Sequence, residues 1–360
     1  CPMVAAWTPL LLAWTAGAAG TPLAASRVGL TRGAIPRRVA PTHRAPLVLA
    51  TATANTGAAA ATSPPLSTFA ARVDAATATL FGAEPTARVR RAWARLDAGE
   101  EHESVLSDHP LMIQRASSYI DGLSVHPWHE PATKHKWAKK LEASWTVVRD
   151  ELKSALADED ALHALGNNVW AGAKNQTSAS AYGQDWRTLA LCDRTVWDET
   201  NSALFPRTCE LLHKAKVPLV EAFFAKMPPR SVIGPHSDMC NFALTAHLGV
   251  QVPENKCHLS VGDGTRTWAD GRAMLFDTSV LHEARNDADE TRYILMMRVY
   301  HPELSGVERK ALQFIFDCLD EPELLADPIA LAEYPERRAM VEAASRQSWE
   351  RALDGARRRR

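Results

Sequence analysis

A β core of short strands, closed as a sandwich or barrel and flanked by helices at both ends, is the fold class this sequence predicts. Two observations predict it. Between Leu219 and Tyr300, short apolar runs are separated by turn signals: VEAFFAKM before PPR, FALTAHLGVQV before PENK, CHLSVG before DGTR, then RAMLFD and RYILMMRVY. On either side of that region, apolar residues recur every three or four positions, which is the period of a helix.

The elements follow in order. Residues 1–65 are dominated by Ala, Thr, Pro and Gly. They carry Arg27, Arg32, Arg37, Arg38 and Arg44, and no acid occurs before Asp74. That is the composition of an organelle transit peptide. The run from Met3 to Ala19 adds an apolar stretch followed by small residues, as in a secretory signal. A plastid or mitochondrial destination is therefore expected, with the secretory pathway and endoplasmic reticulum as the alternative. A low-complexity N-terminus without an address is the plainer reading of the same residues. Thr8, Pro9 and Thr15 interrupt the apolar run, which is short for a membrane span. No stable span is expected in the mature chain.

Residues 66–117 read as a helical N-terminal extension, with Phe69, Val73, Ala76 and Leu80, then Val89, Ala92, Trp93 and Leu96, at helical spacing. Residues 134–157 predict one amphipathic helix with Trp137, Leu141, Trp145, Val148 and Leu152 on its apolar face. A tryptophan-bearing loop region with a glycosylation triplet at Asn175 follows, and then the strand-rich segment; a jelly-roll-type domain is placed at 118–305. Residues 306–360 return to helix, with Ala311, Phe314, Ile315 and Leu319 in one helix and Met340, Val341, Ala344 and Trp349 in the next.

Composition narrows the function. The formal net charge of −1 over 360 residues offers no field to draw nucleic acid, so no nucleic-acid partner is expected. The terminal Arg357–Arg360 run reads as a solvated helix end. The six cysteines are scattered without a C-x-x-C pair, which argues against a thiolate zinc site and against a disulfide framework.

The chemistry concentrates in 232–300. His236 and Asp238 lie two apart, His282 follows 46 residues later, and Arg292 ten after that. Two histidines and a carboxylate are the ligand set of the facial triad, which holds Fe(II) and leaves positions open for a co-substrate and O₂. On an extended segment residues two apart face the same side, so His236 and Asp238 would point together into the barrel. His282 would arrive from a later strand. H-x-D is a common pair on its own, and a lone histidine is usually structural; only the whole set points to a metal site. Gly262-x-Gly264 reads as a hairpin turn, Trp268 as a core or rim residue, and Glu283 as either an orienting partner of His282 or an exposed carboxylate.

The segment from Gly234 to Leu304 resembles the aspartyl/asparaginyl β-hydroxylase family. The matching pieces include Pro235-His236, Asn241, His247-Leu248-Gly249-Val250, Cys257, Trp268, Gly271, Phe276-Asp277, His282-Glu283, Asn286, Arg292 and His301-Pro302-Glu303-Leu304. Upstream, GLSVHPWHEP (122–131), Trp186, Asn201 and Pro206-Arg207-Thr208 fit the same family. The resemblance implies a double-stranded β-helix, the cupin-like jelly roll, using Fe(II), 2-oxoglutarate and O₂. It implies that His236 and His282 ligate iron, that Arg292 pairs with the distal carboxylate of 2-oxoglutarate, and that His247 meets its other carboxylate. Known animal members have Gly where this chain has Asp238, and usually place Arg where it has Thr245; Ala225 also lacks an expected polar side chain. Asp238 either completes a three-residue triad or turns away and leaves water in its place.

Three functions compete on this evidence. The first is an Fe(II)- and 2-oxoglutarate-dependent hydroxylase acting on an Asp or Asn side chain of a protein or peptide. The second is the same chemistry on a lipid acyl chain or another small molecule. The third is a non-catalytic jelly-roll binding domain. Against the third, His236, Asp238, His282 and Arg292 would be buried polar groups without a purpose, which is costly.

Overall fold

The structure, a computed structural model, describes residues 68–164, 170–172 and 186–358. The expected targeting segment, the Asn175 triplet and the last two arginines lie outside the described residues.

The strands are β1 (His102–Val105), β2 (Ile113–Ala116), β3 (Trp128–His129), β4 (Ala171–Gly172), β5 (Arg187–Asp193), β6 (Val196–Trp197), β7 (Leu219–Met227), β8 (Ser231–His236), β9 (Ala243–Gln251), β10 (Cys257–Val261), β11 (Gly264–Thr267), β12 (Ala273–Phe276), β13 (His282–Asn286) and β14 (Arg292–Tyr300). They form a small sheet ordered β11-β10-β13-β8 and a large one ordered β3-β12-β9-β14-β7-β5-β4, with β6 beside β5. Every pairing within the two sheets is antiparallel. The core is a jelly roll with flanking helices, the predicted class.

Burial explains the sequence patterns. The inner faces meet in a layer of Phe223, Ala225, Met274, Phe276 and Ile294 from the large sheet against Ile233, Leu259, Val261 and Ala284 from the small one. The outer face of the large sheet, with Phe224, Leu244, Leu248, Leu295 and Met297, is covered by helices bearing Trp137, Leu141, Val148, Leu152, Leu212 and Trp349. Strands β7, β9 and β14 are thus covered on both sides, so they read as mainly apolar runs with few polar interruptions. The small sheet faces solvent on one side, and β10 and β13 alternate accordingly. The β10–β11 hairpin turns at Gly262, whose φ of +58° only glycine adopts freely, as the Gly262-x-Gly264 pattern suggested.

Three expectations need correction. The N-terminal extension is helical only over Phe69–Phe81 and Ala87–Asp97; residues 102–116 form the β1–β2 hairpin. The stretch 134–157 is not one helix: Lys136–Ala143 and Trp145–Leu156 are separated at Ser144, where φ is −120° and ψ 16°. In the last helix, Tyr334–Arg358, Trp349 is buried with Leu353, while Met340 is 70% exposed and Ala344 is exposed too. The buried side of that helix follows its contact with His213 and Trp197, which its own periodicity does not reveal.

The N-terminal helices dock on the Gly306–Asp320 helix through Val73, Val89, Trp93, Phe314 and Ile315. Ser305 starts that helix with a capping box to Glu308. No described helix is long and apolar enough to cross a membrane.

Candidate metal centre

His236 ends β8 and His282 begins β13, and the two residues face each other in the β8–β13 register. The rings lie 4.2 Å apart between centroids. Asp238 sits beyond the strand, in a turn that brings it back to them. Its N–H donates to the Thr278 carbonyl at 2.9 Å. The Ser237 hydroxyl donates to the Arg115 carbonyl at 2.6 Å and accepts from the Met239 N–H at 3.0 Å. Met239 takes φ +60°, a costly conformation for a long side chain, and its carbonyl is held by the N–H groups of Ser117 and Ser118 at 3.0 Å. The β1–β2 hairpin, missed in the sequence, therefore braces the turn that carries Asp238.

The histidine tautomers follow from their partners. His236 Nδ1 is 2.8 Å from the Gly234 carbonyl and His282 Nδ1 is 3.0 Å from the Val280 carbonyl. A carbonyl only accepts, so each Nδ1 carries the proton and each Nε2 keeps its lone pair. Burial, reinforced by the neighbouring His236, holds His282 down to about 3, so its ring is neutral at physiological pH. The Asp238 carboxylate is buried, which opposes its charge. The facing Arg298 guanidinium outweighs that and holds it ionised, well below the usual carboxylate range. One ligand atom from each of His236, Asp238 and His282 lies within 4.8 Å of the others, the one such group among the described residues. His126, His129 and His135 form no such group. Two imidazole nitrogens and one carboxylate oxygen suit Fe(II) with positions left open.

Opposite this group, the large sheet presents a second set. Trp268 is 1% exposed, and its Nε1–H donates to His247 Nδ1 at 3.2 Å. Indole nitrogen only donates, so His247 accepts on Nδ1 and carries its proton on Nε2. Burial, and then the Arg292 charge, depress its basicity far enough to keep the ring neutral. His247 Nε2 is buried and meets no hydrogen-bond partner among the described residues. Arg292, 2% exposed, stacks 4.5 Å from the Trp268 ring centroid. Its Nε finds no partner, and no described carboxylate pairs with it. Burial brings its guanidinium down to about 10. The His247 Nε2–H and the Arg292 Nε thus stay without a hydrogen-bond partner among the described residues.

Residues 142–302 match the family described as Aspartyl/Asparaginyl beta-hydroxylase. The mouse aspartate beta-hydroxylase domain-containing protein 2 is 34% identical over 239 residues, covering 63% of this chain and 67% of that protein. The chain belongs to the aspartyl/asparaginyl β-hydroxylase family. Mouse aspartyl/asparaginyl beta-hydroxylase is 28% identical over 216 residues, 56% of this chain and 27% of that protein. The chain thus spans about a quarter of that relative's length. The ornithine lipid ester-linked acyl 2-hydroxylase of Rhizobium tropici is 28% identical over 179 residues, 49% of this chain and 61% of that protein.

Several β-hydroxylase motif residues now have physical reasons. Asn241 closes two hydrogen bonds on the Ile120 backbone, at 2.8 and 3.0 Å. The two distant pieces GLSVHPWHEP and His301-Pro302-Glu303-Leu304 dock on each other: Ser124 gives its N–H and hydroxyl to the Glu303 carboxylate, and the Ser124 carbonyl lies 3.2 Å from His301 Nε2. Asn286, fully buried, donates to the carbonyls of Met227, Pro228 and Glu290 and so ties β13 to β7. Glu283 sits on the other face of β13 from His282 and does not orient it; the Val280 carbonyl does.

Of the five residues named from the sequence, His236, Asp238 and His282 come together within 4.8 Å, while His247 and Arg292 lie beside Trp268 on the large sheet. Sequence reasoning missed Arg298 and Glu221. Arg298 is 5% exposed and pairs with Asp238 at 2.8 Å and Glu221 at 3.5 Å. Burial raises the Glu221 carboxyl to about 8, against the pull of Arg298. The signal for Arg298 was an arginine inside the apolar run RYILMMRVY, at the same parity as Arg292, since arginine is seldom buried without a partner.

Proposed function

We propose that the chain is an Fe(II)- and 2-oxoglutarate-dependent hydroxylase. The observation that carries this reading is the pairing of two complementary sets on the facing sheets. His236 Nε2, His282 Nε2 and an Asp238 oxygen form a cation site, and the Arg292 guanidinium with His247 Nε2–H forms an anion site opposite. A dicarboxylate that also binds metal is the ligand that such a pair of sets fits. Bound there, iron would supply the activation of O₂ that hydroxylation needs. The chain's own work is positional. The Gly234 and Val280 carbonyls fix the imidazole tautomers, Trp268 fixes that of His247, and Arg292 presents a fork whose two N–H groups match a carboxylate. Phe276, Met274 and Ile294 belong to the apolar layer packed between the sheets, which would limit access of water.

The substrate that fits the family is an Asp or Asn side chain of a protein or peptide. A lipid acyl chain is the second reading, favoured by the likeness to an acyl 2-hydroxylase over a larger share of that protein's length. A non-catalytic role is disfavoured because it would leave Arg292 buried and unanswered. Anaerobic titration with Fe(II) and then 2-oxoglutarate tests the reading through the weak visible charge-transfer band of the chelate. The band is expected in the wild-type chain and weakened in Asp238→Ala. An equal band in both would mean two histidines suffice, and no band in either would refute the hydroxylase reading.

A further inference from the structure

The row of residues that crosses the large sheet at the level of the histidines carries charge that the hydroxylase reading leaves unused. Glu221 of β7 stands opposite Arg298 of β14, and Arg298 stands opposite Thr245 of β9. Residues two apart on a strand share a face, so Arg298 projects to the same side of the sheet as Met296, Ile294 and Arg292. Thr245 beside it is fully buried and short.

Asp238 divides its two oxygens. Its Oδ2 lies 2.8 Å from Arg298 Nη1, while its Oδ1 is the atom 3.9 Å from His236 Nε2. Both side chains of the pair are almost fully buried, at 6% and 4% side-chain exposure. A buried carboxylate held on one oxygen keeps the other at a fixed place. Left alone, it would be free to rotate, to offer both oxygens to a metal, or to turn from it.

We propose that Arg298 is the positioning residue of this centre. It fixes the Asp238 carboxylate through Oδ2 so that Oδ1 alone joins His236 and His282 at the metal, and the pair acts as one unit. A one-oxygen ligand leaves open the position that a two-oxygen ligand would close, which is what a chelating co-substrate requires. This assignment rests on the metal-dependent reading proposed above.

The test is Co(II) binding to the full chain, read from its visible d–d bands, in a cycle of Arg298→Met, Asp238→Ala and the double variant. In the wild-type background Arg298→Met is expected to weaken Co(II) binding by about 10- to 100-fold, the usual effect of losing the partner that orients a ligand. In the Asp238→Ala background the same change is expected to leave binding unchanged or to strengthen it, because a guanidinium without its carboxylate repels the cation. That reversal is what a merely structural role does not produce. Equal weakening in both backgrounds, or no effect in the first, overturns the assignment while leaving the hydroxylase reading intact. A wild-type chain that takes up no Co(II) overturns the metal-dependent reading, and this assignment with it. If Arg298→Met does not fold, Arg298→Lys serves: its single ammonium cannot match the planar fork, and a threefold or greater loss of affinity is expected, whereas unchanged affinity and unchanged d–d bands overturn the assignment.

Discussion

Replacing Arg292 with Met should make the ligand-free protein more stable and at the same time abolish its response to 2-oxoglutarate. Burial brings the Arg292 guanidinium from its ordinary range down to about 10. A drop of that size corresponds to about 3 kcal/mol of unfavourable charge burial, at about 1.36 kcal/mol per pH unit. The sign is fixed by linkage: a base whose folded value is depressed binds its proton less tightly when folded, so the penalty acts in full at every pH below about 10. Stacking on Trp268 at 4.5 Å offsets it, by about 2 kcal/mol for a desolvated pair. Methionine retains a contact with the indole worth about 1 kcal/mol. The expected balance is a gain of about 1–2 kcal/mol, or roughly 2–8 °C in melting temperature for a domain of this size. The assay is a thermal melt of the full chain with and without Mn(II) and 2-oxoglutarate. The wild-type protein should melt higher with both ligands, and Arg292→Met should start higher and not respond. A variant that melts several degrees below wild type without ligand would refute the reasoning, because Arg292 would then be holding the fold rather than awaiting an anion. Equal stabilisation of both proteins by 2-oxoglutarate would refute it from the other side.

Trp268→Phe keeps the ring but removes the donor that fixes His247. It should lower 2-oxoglutarate affinity by about tenfold, corresponding to roughly 1.4 kcal/mol, and leave Co(II) affinity unchanged; a loss of both in equal measure would mean that the site has simply come apart. Gly249→Ala places a methyl carbon 2.1 Å from the Ala269 carbonyl oxygen, a backbone atom that cannot swing away. The expected cost is about 1–3 kcal/mol or more, seen as a lower urea midpoint with an unchanged slope; an unchanged midpoint would contradict the β9–Trp268 packing. Glu221→Gln carries a pH signature. The Glu221 carboxyl is raised to about 8, so the stability it contributes is complete below the ordinary carboxylate range and is lost as pH rises toward 8. The variant should therefore melt above wild type at pH 8–9, with the difference shrinking toward pH 5. A difference that does not change with pH would refute this.

The parts of the fold that the sequence announces are those with a local cause. Strands β7, β9 and β14 are covered on both faces and read as apolar runs, and the β10–β11 turn announces itself through Gly262. The β1–β2 hairpin gives no such signal. Its strands bear Glu103, Gln114 and Arg115, and it is ordered by backbone bonds from Arg115 to Ser279 and from Leu281 to Ile113, partners more than 160 positions away in the chain. Likewise, nothing in KHKWAKKLEASWTVVRDELKSALA marks Ser144 as a break, for it contains neither glycine nor proline.

The candidate site shows the same division more sharply. His236, Asp238, His282 and Arg292 were legible because their spacing along the chain is itself a pattern. Arg298 was not, because its meaning lies in the sheet. Read position by position, the chain loses a cation at Thr245 and gains an anion at Asp238, which suggests a damaged site. In the folded protein Thr245 and Arg298 are opposite each other across β9 and β14, and Arg298 reaches Asp238. The cation is therefore present at the same level of the sheet, on the neighbouring strand, and the new carboxylate is its partner. In this chain the two positions are linked through one charge pair built across strands. Because each member is buried, neither is stable without the other. A change at Asp238 alone therefore measures an orphaned arginine as well as a lost ligand, and only the double variant separates the two.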